Sequence, residues 1–135
     1  MTTVDEPLYK HRTKYFRKAF EDLGEIASRL DYALVDVECD TLIGTGLSGA
    51  LVVPTLARLM GKYWAIVRKP SDINHSDMPI EGEVGRKWVF VDDFVETGQT
   101  LQLVKYKIGR EVPESHYEGT FEYQRTDRTL SYIYI

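Results

Sequence analysis

Tyr15, Phe16, Ala19, Phe20, Leu23, Ile26, Ala27 and Leu30 recur at steps of three and four, which predicts one helix from about His11 to Leu30. Lys14, Arg17, Lys18, Glu21, Asp22 and Glu25 fill its other faces. From there the chain alternates. Thr41-Leu42-Ile43 reads as a strand ending at Gly44, and Ser48 to Met60 reads as a helix with Gly61 as its stop. Pro54 falls inside that helix, where proline costs ~3 kcal/mol, so the expectation is a later start or a kink. Tyr63 to Val67 is a second strand. Lys69 to Gly85, acidic and carrying two prolines, shows no periodicity and reads as a long loop of the kind that is usually functional or disordered. Trp88-Val89-Phe90-Val91 is apolar on both faces and reads as a buried strand. Thr100 to Ile108 follows as a short helix stopped by Gly109. Gly119 to Tyr123 and Leu130 to Ile135 are strand-like, joined by the polar turn Arg125-Thr126-Asp127-Arg128.

This order predicts an α/β fold: one domain over residues 1–135, with a mostly parallel twisted sheet flanked by helices. Ligands in such sheets sit beyond the carboxyl ends of the strands, and three of those ends carry unusual chemistry.

Composition narrows the function classes. Apolar residues make up 43% of the 135 residues, enough for a core, and the formal net charge is −4. That balance disfavours a nucleic-acid partner and confines any anion site to a local patch. Cys39 is the only cysteine, so no internal disulfide forms. The N-terminus lacks the apolar stretch of a signal peptide, and Ala50 to Met60 is too short to span a bilayer. A cytoplasmic location and no membrane partner are the expectation. His11, His75 and His116 are scattered, without zinc-site spacing.

The chemistry concentrates after the third strand, in Asp92-Asp93-Phe94-Val95-Glu96-Thr97-Gly98-Gln99-Thr100. Two adjacent carboxylates at a buried strand end are costly unless hydroxyl donors or a cation compensate them. Thr97, Gly98 and Thr100 form a small-residue turn opening onto a helix N-terminus, which suits a monophosphate. A phosphosugar offers hydroxyls and phosphate at that spacing. An acidic cap on an ordinary helix is the alternative.

From Trp88 to Thr100 the chain resembles the phosphoribosyl-pyrophosphate signature of the type I phosphoribosyltransferases, without a gap. The resemblance implies that Asp92 and Asp93 bind ribose hydroxyls, that Glu96, Thr97, Gly98, Gln99 and Thr100 wrap the 5-phosphate, and that Val95 belongs to the same substrate site. Glu96 stands where the hypoxanthine-guanine branch places an acid near the purine ring, which implies general acid–base work; a solvated acid near a helix start is the alternative.

Gly44-Thr45-Gly46-Leu47-Ser48-Gly49 matches G-x-G-x-x-G. A dinucleotide fingerprint would need an acid at the end of the next strand, and Arg68-Lys69 stands there instead. A tight strand-to-helix turn needing positive φ is the structural reading. The resemblance implies that backbone amides of Thr45, Gly46, Leu47, Ser48 and Gly49 bind pyrophosphate. Arg68-Lys69-Pro70 is similar to the basic pair that faces pyrophosphate in adenine and orotate enzymes, and a solvated pair is the alternative. Glu81-Gly82 resembles the end of their mobile loop. The orotate pattern of a further lysine and His-Gly is absent here, with Asp72 and His75-Ser76 in the region.

The implied activity transfers 5-phosphoribose from phosphoribosyl pyrophosphate to a nucleobase, with purine favoured by Glu96 and Arg68-Lys69-Pro70. Catalysis would rest on Glu96, Asp92, Asp93 and Arg68. Mg²⁺ would enter on the pyrophosphate of the substrate, and the segment 69–81 would close over it. A homodimer is implied, with the 11–30 helix at the contact. The base-reading hood of the family is reduced here. Tyr117, Phe121, Tyr123, Tyr132 and Tyr134 either stack on a base or pack the sheet edge, and the alternation 132–135 favours packing. A non-catalytic module sensing phosphoribosyl pyrophosphate or a nucleotide is the competing function, and a dinucleotide-binding domain a third.

Overall fold

In the computed structural model, the described residues form one sheet of five strands in the order β3-β2-β1-β4-β5. The structure describes residues 8, 23–69, 78–93, 95, 97–123 and 133–135. The elements are α1 (Leu23–Ala33), β1 (Thr41–Thr45), α2 (Gly46–Met60), β2 (Tyr63–Val67), β3 (Ile80–Gly82), β4 (Lys87–Asp92), α3 (Gln99–Glu111) and β5 (His116–Glu122). β2, β1, β4 and β5 run parallel, and only the edge strand β3 is antiparallel. The expected mostly parallel α/β sheet is what forms.

Alternation along the strands divides the core into two layers. Leu42, Val89, Val91, Phe121 and Tyr123 face α1 and α2, meeting Ile26, Leu30, Val52, Val53 and Leu56. Ile43, Ala65, Val67, Trp88 and Phe90 face the other way, against Val104 and Ile108 of α3. All five residues of β1 are buried, as its central place requires.

Several boundaries differ from the sequence expectation. α2 starts at Gly46, before Ser48, and runs through Pro54 without interruption. α3 continues past Gly109 to Glu111, so that glycine is no stop; in a helix it costs only ~1 kcal/mol relative to alanine. The long loop contains β3, whose register pairs Ala65 with Gly82, Ile66 with Glu81 and Val67 with Ile80. Gly82, at φ 112°, sits where a Cβ would come within 2.3 Å of the Trp64 carbonyl oxygen. Of the expected last strand, Tyr134 makes an antiparallel bridge to Thr120. Most of the 11–30 helix lies outside the described residues, which begin its helical part at Leu23.

Candidate functional site

The parallel strands bring the ends of β1, β2 and β4 to one edge, together with the starts of α2 and α3. β1 passes into α2 with no loop: Thr45 is extended, and Gly46 turns at φ 72° into the first helical residue. The Thr45 hydroxyl donates to the Val67 carbonyl at 2.6 Å, locking the ends of β1 and β2 together. That leaves Thr45 making no side-chain cap of α2, and no acid lies in the helix's first turn. Gly44 and Gly49 are close-packing glycines. A Cβ on Gly44 would lie 2.7 Å from a Val53 methyl and 3.2 Å from the Gly49 Cα. Of the six-residue match, only Gly46 takes the positive φ expected of a tight turn. Leu47 is exposed, Ser48 half-buried and Gly49 buried, so the amides of the first turn of α2 lie at the sheet's carboxyl edge.

β4 ends in the acid pair. Asp92 accepts a hydrogen bond from the Asp93 amide at 2.9 Å, and both side chains are half-buried. Burial, reinforced by the Asp93 carboxylate, raises the Asp92 carboxyl to about 7, with the Asp93 amide and Lys69 pulling the other way. The two carboxyls therefore share a half-buried strand end with Lys69 as a nearby cation, and further hydroxyl donors there would lower the cost of holding both charged.

After the acids, Val95 is half-buried and packs against the α3-side core, while Thr97 and Gln99 are exposed and Gly98 and Thr100 half-buried. The turn is open to solvent. Gly98, at φ 78°, occupies the N-cap of α3 without any side chain to cap it, and the first turn of α3 carries no acid. The Thr97 hydroxyl accepts from the Gln99 amide at 3.3 Å. Two helix N-termini thus meet at one edge of the sheet, a setting that favours anions, with the first amide of α3 held by Thr97 and no cap from Thr45 on α2. Phe94 and Glu96 lie outside the described residues, as does the segment 70–77 with Asp72 and His75.

The basic pair after β2 divides. The Lys69 ammonium reaches the site: its Nζ lies 3.3 Å from where a Gly46 Cβ would stand, and its charge acts on Asp92. The Arg68 guanidinium instead pairs with Glu81 of β3 at 2.7 Å. Lys107 of α3 donates to the Arg68 carbonyl, joining the end of β2 to the opposite helix layer.

Tyr123, expected from the sequence either to stack on a base or to pack the sheet, does more than pack. Its ring is buried in the core, and its hydroxyl is hydrogen-bonded to Ser48 in the first turn of α2. Burial, then the Asp93 and Asp92 charges, push that hydroxyl's ionisation up. Arg29 of α1 donates to the Tyr123 carbonyl at 3.1 Å and lies over the Phe121 ring. One buried tyrosine therefore links the starting turn of α2 to the acid pair. The alternation of Thr120, Phe121, Glu122 and Tyr123 marks the ring as inward, but nothing local marks the hydroxyl's partners. Phe121 is fully buried, Tyr117 packs at a tilt against Trp88 with ring centroids 5.0 Å apart, and Tyr134 bonds to Glu122, so these aromatics pack as the alternation favours. Tyr132 lies outside the described residues.

Among the described residues, no three His, Cys, Asp or Glu side chains gather to hold a metal ion. No described helix is long and apolar enough to cross a membrane.

No family model and no curated protein matches the chain. Solved structures do. UMP synthase of Leishmania donovani superposes with a TM-score of 0.59 at 18% identity, over 80% of this chain and 24% of that one. Orotate phosphoribosyltransferase of Francisella tularensis gives 0.57 at 17%, over 74% and 50%. Adenine phosphoribosyltransferase of Thermoanaerobacter pseudethanolicus gives 0.60 at 18%, over 80% and 70%. The chain thus spans a quarter to a half of the first two. The shared feature is the fold, that of the type I phosphoribosyltransferases, as the Trp88–Thr100 resemblance implied.

Proposed function

We propose that this chain, built on the type I phosphoribosyltransferase fold, transfers 5-phosphoribose from phosphoribosyl pyrophosphate to a nucleobase, a purine in particular. The observation that carries the reading is one edge of the sheet. There the acid pair Asp92-Asp93 leads directly into the exposed turn and the start of α3, with the start of α2 and Lys69 alongside.

In this reading Asp92 and Asp93 accept hydrogen bonds from the ribose hydroxyls, which relieves their mutual repulsion. Val95 to Thr100 wraps the 5-phosphate with amides and threonine hydroxyls. The amides of Thr45 to Gly49, with Lys69 and Arg68, receive the pyrophosphate. A nitrogen lone pair of the base forms the bond to the anomeric carbon as the bond from that carbon to the pyrophosphate oxygen breaks. The proton lost by the base nitrogen passes to the Glu96 carboxylate. The transition state is oxocarbenium-like, and a single preorganised donor in such a site contributes ~3 kcal/mol. Mg²⁺ carried on the pyrophosphate would supply neutralisation of the leaving group, and the Asp92 and Asp93 carboxylates are the residues here whose chemistry would suit it. Tyr123 positions Ser48 relative to the acids. A homodimer in the cytoplasm belongs to the same reading. Purine preference rests on Glu96 and the Arg68-Lys69-Pro70 sequence.

Pyrophosphate release from phosphoribosyl pyrophosphate and Mg²⁺, assayed with adenine, hypoxanthine, guanine and orotate, tests this. Turnover with a purine that Asp93→Asn abolishes is the expected result. Ligand binding without release from any base would instead identify a sensing module.

A further inference from the structure

The Arg68 backbone is held at both ends. Its amide donates to the Pro79 carbonyl at 2.9 Å, and its carbonyl accepts from Lys107. Only the side chain is left to choose a partner. One terminal nitrogen donates to the Glu81 carboxylate at 2.7 Å, from the facing edge strand β3. The Nε of the same guanidinium is buried and has no hydrogen-bond partner among the described residues.

That arrangement leaves the arginine badly satisfied. Guanidinium is a planar fork built to give two parallel hydrogen bonds to one oxyanion, and here one position of the fork meets no hydrogen-bond partner among the described residues. The ion pair that fixes it is weakly held. The Glu81 side chain is 43% exposed and that of Arg68 24%, so water screens the attraction. An incoming oxyanion with several oxygens offers Nε and a terminal nitrogen two acceptors at once. It also carries more charge than a single carboxylate, and Glu81 repels it.

We infer that Glu81 is a displaceable counter-ion that parks Arg68 in the ligand-free chain and yields the guanidinium to a phosphate-type oxyanion. The inference rests on the transferase reading above, and it assigns Glu81 an opposing role: its carboxylate competes with the ligand for Arg68. Removing its charge therefore strengthens binding, the opposite of what loss of a supporting contact would do.

The test is calorimetric titration of inorganic pyrophosphate with Mg²⁺ into the full chain, into Glu81→Gln and Glu81→Ala, into Arg68→Gln, and into the double variant Glu81→Gln/Arg68→Gln. Glu81→Gln should bind roughly two- to fivefold more tightly, the scale of an exposed competing charge, and the gain should shrink as salt is raised. Arg68→Gln should bind more weakly, and the double variant should match Arg68→Gln, since no guanidinium is left to compete for. The counter-ion role is overturned if folded Glu81→Gln and Glu81→Ala bind no tighter than wild type, or if the gain survives in the Arg68→Gln background. If the wild-type chain itself binds neither pyrophosphate nor phosphoribosyl pyrophosphate, the transferase reading falls, and the counter-ion role with it.

Discussion

The Cα of Gly49 lies where it would stand 3.2 Å from a Cβ on Gly44, so the end of β1 and the first turn of α2 meet backbone to backbone. This contact sets the height of the α2 start above the sheet, and hence the position of its amides. Gly44→Ala would drive its methyl to 2.7 Å from a Val53 methyl in a packed core. We expect a loss of about 1–3 kcal/mol, read as a shift in the urea midpoint. Gly109→Ala meets nothing within 4 Å inside α3 and should gain about 0.5–1 kcal/mol in the same assay.

Gly98 and Gly61 form a matched pair. Both hold positive φ, 78° and 67°, and neither Cβ would meet an atom within 4 Å. Alanine at either site should cost about 1–2 kcal/mol of left-handed strain. Only Gly98→Ala should weaken phosphoribosyl pyrophosphate binding, measured by titration. Equal affinities for the two variants would remove the turn from the ligand site.

The acid pair predicts a pH dependence with a definite sign. Asp92 titrates at about 7 in the folded chain, raised first by burial and then by Asp93. An unfolded aspartate loses its proton near ~4. Between those values the folded state holds a proton that the unfolded state has released. Asp92 therefore lowers stability progressively as pH rises from ~4 to about 7, with no further loss above. Asp93→Asn removes the neighbouring charge, so its Tm relative to wild type should rise across this window and stay higher at pH 8. Its affinity for phosphoribosyl pyrophosphate should fall. An unchanged pH profile would show that the two carboxyls do not interact.

Asp40 lies at the opposite end of β1 and behaves the other way. Its carboxylate accepts from the Thr41 hydroxyl at 2.7 Å and from the Arg86 and Lys87 amides at 2.9 and 3.2 Å. Burial pushes its carboxyl up, but the hydrogen bonds from Arg86, Thr41 and Lys87 outweigh that and hold it below the ordinary range. Its contribution is complete above the unfolded value of ~4 and disappears as pH falls through the lower folded value. Asp40→Ala should cost about 1.5–3 kcal/mol at pH 7 by urea unfolding and far less at pH 2. Transferase turnover per folded molecule should be unaffected.

What was legible in the chain follows from periodicity. Tyr63 to Val67 and Trp88 to Val91 announce strands because apolar residues fill both faces, and β2 spans the expected residues. Asp92-Asp93 and the turn after them were legible because strand, acids and glycine fall in sequence. β3 was not: three residues on an edge bury too little to leave an alternating pattern. The early start of α2 was missed because Gly44, Gly46 and Gly49 read as a loop, whereas two of them serve close packing and one the positive φ. The link from Tyr123 to Ser48, and the diversion of Arg68 to Glu81, depend on contacts across 75 and 13 positions that no local window contains.

Lys107 stands in the third turn of α3, and its ammonium grips a carbonyl at the end of β2, 39 positions earlier in the chain. This strut crosses from the element that opens at Gly98 to the strand that delivers Arg68 and Lys69. Steadying either end therefore lowers the entropic cost of occupying the other. Under the transferase reading proposed above, a ligand at either end would raise the affinity of the other end for its own ligand by the same factor, as reciprocity between linked sites demands.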